Sequence, residues 1–132
     1  KLHDVRSQLA FIARNVWSTP PAHGAAVVAT ILADDELRAL WVNELEGMRQ
    51  RVASLRGGLV EALAAFGLSQ RFAHIDQQRG MFSYTGLSPM QVQRLRDEYS
   101  VYMLSSGRAN MAGLEASRLQ QLASVIAQVC AT

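Results

Sequence analysis

Gly80-Met81-Phe82-Ser83-Tyr84-Thr85-Gly86-Leu87 runs directly into Ser88-Pro89-Met90-Gln91, and this passage decides the fold. Gly80 to Thr85 reads as a strand. Ser88 to Gln91 is a capping box with proline at the first helical position. The helix that it opens turns Val92, Leu95 and Tyr99 inward. Val101 to Leu104 then reads as a further strand, inside the run Tyr99-Ser100-Val101-Tyr102-Met103-Leu104-Ser105-Ser106. That run delivers the chain to Gly107-Arg108-Ala109-Asn110. An arginine just past an apolar strand, beside a glycine and two serines, is poised to face a cleft.

On either side the pattern continues. Upstream, Phe72-Ala73-His74-Ile75 reads as a strand. Downstream, Glu115 to Val129 reads as a helix with Leu119, Leu122, Val125, Ile126 and Val129 inward. From residue 67 the expected order is strand, strand, helix, strand, helix, which is an α+β layer with its helices on one sheet face.

Before Gly67 the period is helical. Leu2, Val5, Leu9 and Ile12 share one face of a helix over residues 2–14. Thr19 precedes proline and is pushed toward extended geometry, which ends that helix. Pro20 and Pro21 can open a second one, to about Leu32, whose alanines, valines and Ile31 leave it little polar surface, so burial is expected. Asp34 caps a third helix, with Asp35 and Glu36 opposing its positive end. Its apolar stripe includes Leu37, Trp41, Leu45, Val52, Leu59 and Phe66, and Gly67 stops it. Roughly 33 residues make a rod on the order of 50 Å long, more than one core fills, so the rod is expected to join two lobes. Gly57-Gly58 weakens its middle by roughly 1 kcal/mol per glycine.

Bulk properties narrow the function. The chain is 49% hydrophobic and 18% charged, enough to bury a core, and carries a net charge of +2. Lys1 is its only lysine, so the basic residues are arginines, suited to bidentate contact with carboxylate or phosphate. They form no stripe with interleaved aromatics, which argues against nucleic acid. No apolar run nears the ~20 residues of a membrane span. Cys130 stands alone, so an intrachain disulfide is excluded; a reducing compartment fits, and a disulfide-free secreted protein would look the same. The start, Lys1-Leu2-His3-Asp4, falls in mid-helix pattern without an initiator methionine, so the chain is expected to be a piece of a longer protein.

Three runs carry a family resemblance: Trp17-Ser18-Thr19-Pro20-Pro21-Ala22-His23-Gly24, Gly80 to Leu87, and Ser105 to Gly113. Together, and in their spacing, they resemble the carboxyl-terminal region of class I aminotransferases of the aspartate and aromatic amino-acid branch, which use pyridoxal 5′-phosphate. The resemblance implies the small carboxyl-terminal domain of a fold-type I transferase over residues 46–132, preceded over residues 1–45 by the end of the large domain and the start of the long connecting helix. It implies a homodimer acting in amino-acid metabolism on an amino acid and a 2-oxo acid. It also implies roles. Arg108 matches the arginine that grips the substrate's α-carboxylate, and Phe82 a ring near the substrate. Arg14 matches the arginine that reaches across the dimer to a second carboxylate. Ser18 falls where the partner's chain comes near the cofactor phosphate. Trp17 and Thr19 depart from the family's tyrosine and its asparagine or serine.

The lysine that the family bonds to its cofactor has no match, because Lys1 lies outside every matching run. The resemblance thus gives this chain substrate-gripping residues and no catalytic residue, so the piece alone is expected to be inactive. Two other readings stand beside this one: a non-catalytic, dimerising α+β binding module, and another enzyme of the same fold type, such as a lyase. His3 and His74 lack ligand-like partners, so no metal site is expected. Ser105 and Ser106 lack a His/Asp pair for hydrolysis. Tyr84 and Trp41 are expected to be packing residues, and Cys130 inert.

Overall fold

The computed structural model describes residues 1–19 and 21–131; Pro20, half of the proline pair expected to open the second helix, lies outside them. Among the described residues the fold is α+β, mostly helical with one two-stranded sheet. Contacts divide the chain into two units, Lys1–Asn43 and Glu44–Thr132.

In the first unit, α1 spans Leu2–Trp17, somewhat longer than expected, and α2 spans His23–Ala33. Ser18 ends α1 with φ 58°, its N–H donating to the Arg14 carbonyl at 2.9 Å. The expected burial of α2 is not found: Val27, Val28 and Leu32 are 44–56% exposed. The inward face assigned to α1 is open too, with Leu2, Val5, Leu9 and Ile12 at 55–86%. An apolar helix face is buried only by another element laid upon it, and no described residue of this unit is buried.

Helix α3, Asp35–Ala64, begins in the first unit and ends in the second. Asp34 Oδ1 caps it, accepting from the N–H groups of Glu36 and Leu37 at 2.9 and 3.0 Å. At the other end the N–H of Gly67 donates to the Ala64 carbonyl, and that of Leu68 to the Leu63 carbonyl. This is the Schellman arrangement that a glycine at this place favours. The Gly57-Gly58 pair does not break the rod. A Cβ on Gly58 would come within 2.9 Å of Leu119 Cδ1, so the missing side chain lets the last helix lie close.

The stripe of α3 is buried only toward its end, at Leu55, Leu59 and Leu63. Phe72-Ala73-His74-Ile75, expected as a strand, is instead helical, in the single turns α4 (Ser69–Phe72) and α5 (His74–Gln77). Residues three apart share a helical face but oppose each other across a strand. Phe72 and Ile75 are both fully buried, which the helical turn permits. Strand β1, Phe82–Tyr84, follows, and then α6, Pro89–Tyr99, with the expected capping box between Ser88 and Gln91. Val92 and Leu95 are buried, and Tyr99 partly so.

The second correction concerns Val101 to Leu104, which forms no strand and belongs to no sheet. Ser100, in the left-handed region at φ 56°, turns the chain out of α6. A tight turn then closes through the Gly107 N–H to the Leu104 carbonyl at 2.8 Å. Strand β2 is Arg108–Asn110, antiparallel to β1. Two 3₁₀ turns, Met111–Gly113 and Ala116–Arg118, lead into α7, Leu119–Cys130, which starts later than expected. Helix α7 buries Ala123, Ile126 and Val129, and is joined to α6 by Tyr99 Oη donating to Gln128 at 3.0 Å.

Candidate functional site

The register pairs Phe82 with Asn110, Ser83 with Ala109 and Tyr84 with Arg108. Alternation along the strands then sends Phe82, Tyr84, Arg108 and Asn110 to one face. That face is open: Phe82 is 46% exposed and Tyr84 57%, whereas Ser83, on the other face, is buried. Tyr84 is therefore not the packing residue expected of it, and neither is Trp41, at 46% exposure. The Arg108 guanidinium lies over the Phe82 ring, 4.9 Å from its centroid. Such a contact contributes about 0.5–1 kcal/mol at an exposed site, and it limits how far the arginine swings. Among the described residues, Arg108 forms no ion pair. The result is a braced, unneutralised fork on an open surface, suited to a carboxylate.

The turn before β2 fixes where that fork starts. Gly107 is buried at φ 79°, and a Cβ there would come within 3.0 Å of the Leu87 carbonyl oxygen and 3.2 Å of Thr85 Oγ1. Thr85 Oγ1 donates to the Gly107 carbonyl at 2.8 Å, and Thr85 N donates to the same oxygen at 2.9 Å. At the far end of β2, Asn110 Oδ1 accepts from the Ala112 N–H at 3.0 Å and opens the following 3₁₀ turn.

The ribbon's support comes chiefly from Arg56 and Gln78, which the sequence did not single out. Arg56, on α3, is only 5% exposed. It donates from Nε to Ser83 Oγ at 3.2 Å, from Nη1 to the Gln78 carbonyl at 2.8 Å, and from Nη2 to the Gly80 carbonyl. Gln78 in turn pairs its side-chain amide with both backbone groups of Tyr84, at 2.8 and 3.1 Å. His74 Nε2 approaches the same Tyr84 carbonyl at 2.9 Å. One signal was present: Arg56 falls four residues after Val52 and three before Leu59, inside an apolar stripe where a charge needs partners.

Arg14 and Ser18 belong to the first unit. Arg14 is exposed in the last turn of α1, where the helix dipole favours a cation. Exposed Ser18 follows one turn later, its N–H on the Arg14 carbonyl. The structure thus joins Arg108 with Phe82, and Arg14 with Ser18. Among the described residues no cluster of His, Cys, Asp and Glu could hold a metal, and no helix is long and apolar enough to cross a membrane. A cleft of about 310 Å³ in the second unit is lined by Tyr99, Tyr102, Leu114, Arg118 and Val125 among others, and involves no residue of the ribbon.

Burial pushes the Cys130 thiol above its ordinary value, with the Arg71 charge opposing more weakly. A raised value means less thiolate at neutral pH, and the thiolate is the reactive form. Iodoacetamide at pH 7 is therefore expected to alkylate Cys130 more slowly in the folded protein than in denaturant, and the folded rate should climb as pH rises. Equal rates would show that the thiol is not shielded.

The Aminotransferase class I and II family description matches residues 3–126. An aromatic-amino-acid aminotransferase of Pseudomonas aeruginosa is 72% identical over 131 residues, 99% of this chain and 33% of that protein. An aspartate aminotransferase of the same organism is 46% identical, over 95% of this chain and 31% of its own length. The crystal structure of an aromatic-amino-acid aminotransferase from Burkholderia pseudomallei, covalently bound to pyridoxal phosphate, superposes with a TM-score of 0.88 at 49% identity, covering 96% of this chain and 32% of that one. The chain spans about a third of the length of these relatives. With a match over nearly all its residues, and a fold shared with solved members, this chain belongs to the class I and II aminotransferase family.

Proposed function

We propose that the parent of this chain exchanges an amino group between an amino acid and a 2-oxo acid, and that this segment supplies its carboxylate grip. The observation that carries the reading is the Arg108 guanidinium, braced over Phe82 and unpaired among the described residues. A bidentate pair with the α-carboxylate leaves the substrate little rotational freedom, so the bond to be broken is held in one orientation. Phe82 keeps the guanidinium from turning and offers an apolar wall beside the substrate. Arg14 binds the second carboxylate of dicarboxylic substrates from the neighbouring subunit, which makes the parent a homodimer. The name of the 72% identical relative favours an aromatic amino acid as substrate, with dicarboxylates admitted through Arg14.

Pyridoxal 5′-phosphate, when bound in the parent, supplies the electron sink that amino transfer requires. The residues here fit only its periphery. Ser18 offers one exposed hydroxyl toward the phosphate across the dimer. Lys1 lies outside every run that resembles the family. The lysine bonded to the cofactor is therefore supplied by the rest of the parent. In this reading residues 1–45 complete the large, cofactor-binding domain and begin the connecting helix, and 46–132 form the small domain, which closes when Arg108 engages substrate. The parent works in the cytoplasm.

The test is direct. The purified full-length protein, loaded with cofactor, is given phenylalanine or aspartate with 2-oxoglutarate, and glutamate is measured. Glutamate formation from either donor is expected, and none from the 132-residue chain alone. A full-length protein that transfers from neither would sink the activity. Turnover by the short chain would sink the division of labour.

A further inference from the structure

We infer that Arg56 is a positioning residue for the carboxylate grip, setting from beneath the ribbon how Phe82 meets Arg108. The inference rests on the reading of Arg108 proposed above. Arg56 is nearly inaccessible and every acceptor that it meets is neutral: two backbone carbonyls and one hydroxyl. Burying a guanidinium on neutral partners is a costly way to fill space, and a well-packed apolar side chain would do that better. What the planar fork provides, and a leucine cannot, is direction: it holds several acceptors at fixed angles at once.

Those acceptors are the entry to β1 and its middle residue. Ser83 lies between Phe82 and Tyr84 in sequence, turned to the opposite face, and its register partner Ala109 follows Arg108. Gln78 adds a second route, because Arg56 fixes its carbonyl while its side chain fixes the backbone of Tyr84, the residue directly across from Arg108. Strand β1 is thus held at Ser83 and Tyr84, and the Phe82 ring that braces Arg108 is the neighbour of the first. A slip or roll of β1 would move that ring from under the guanidinium. Small displacements of a substrate-gripping group are amplified in rate because productive geometry is narrow.

A double-mutant cycle in the full-length enzyme separates positioning from mere packing. Arg56→Gln and Ser83→Ala are each made alone and together with Arg108→Lys, and kcat/KM is measured for the amino-acid donor. Arg56→Gln is expected to lower kcat/KM about tenfold beside Arg108, and less than about twofold beside Arg108→Lys, where the fork that it aligns is already gone. Ser83→Ala, which removes a single hydrogen bond, should show the same pattern with a loss of roughly threefold. Equal losses in both backgrounds would overturn the inference and leave Arg56 a packing residue. Where Arg56→Gln fails to fold, the Ser83→Ala cycle decides alone. An Arg108→Lys enzyme with unchanged kcat/KM would overturn the reading of Arg108 itself.

Discussion

Replacing Arg108 by leucine in the full-length enzyme is expected to lower kcat/KM for its amino-acid donor by a factor of roughly 30 to several thousand. That range corresponds to about 2–5 kcal/mol, the usual cost of removing one partner of a hydrogen-bonded charge pair. Stability should hardly move. The side chain is exposed, and its contact with Phe82 contributes only about 0.5–1 kcal/mol. Lysine at the same place should recover little, since it keeps the charge and loses the planar fork. Steady-state kinetics and a thermal melt on the same preparations check both halves. A loss of activity matched by a comparable loss of stability would make Arg108 a structural residue, and unchanged kinetics would remove it from the site.

Gly107→Ala carries the second large effect, and it acts first on stability. The backbone there is left-handed at φ 79°, which costs an alanine roughly 1–2 kcal/mol. The added methyl would also press on the Leu87 carbonyl and Thr85 Oγ1, and crowding of this kind typically costs about 1–3 kcal/mol. A loss of roughly 2 kcal/mol or more is therefore expected in a denaturant titration of the full-length protein. Because Gly107 immediately precedes Arg108, the variant should also bind its donor more weakly, seen as a raised KM. Wild-type stability would mean that the 85–87 loop yields without cost.

Several features were legible because one local rule decides each. Asp34, Gly67 and the Ser88–Gln91 box mark helix ends by hydrogen bonds that lie within a few residues. The two missed elements lacked such a rule. A four-residue apolar run such as Phe72–Ile75 suits a strand or a helical turn equally, and its fully buried ends chose the turn. Val101–Leu104 has the composition of a strand, but the strand that formed is Arg108-Ala109-Asn110, with no apolar alternation of its own. It exists because the Gly107 turn lays it beside β1, a long-range fact. The exposed faces of α1 and α2 show the same limit, since periodicity marks an apolar face but not what lies on it. At the site, Arg108 stood out by its place after an apolar run, beside a glycine and two serines, and Arg108 and Phe82 both by their runs' resemblance to a family. Arg56, Gln78 and His74 act mostly through backbone groups, which leave almost no trace in side-chain pattern.

The Gln78 amide has one more consequence. By occupying both outward-facing backbone groups of Tyr84, it stands in for a neighbouring strand along the outer border of β1. A ribbon of two strands otherwise offers a template on which a strand of another molecule can add. Gln78 thus closes this border at Tyr84, where an added strand would otherwise find a free donor and acceptor.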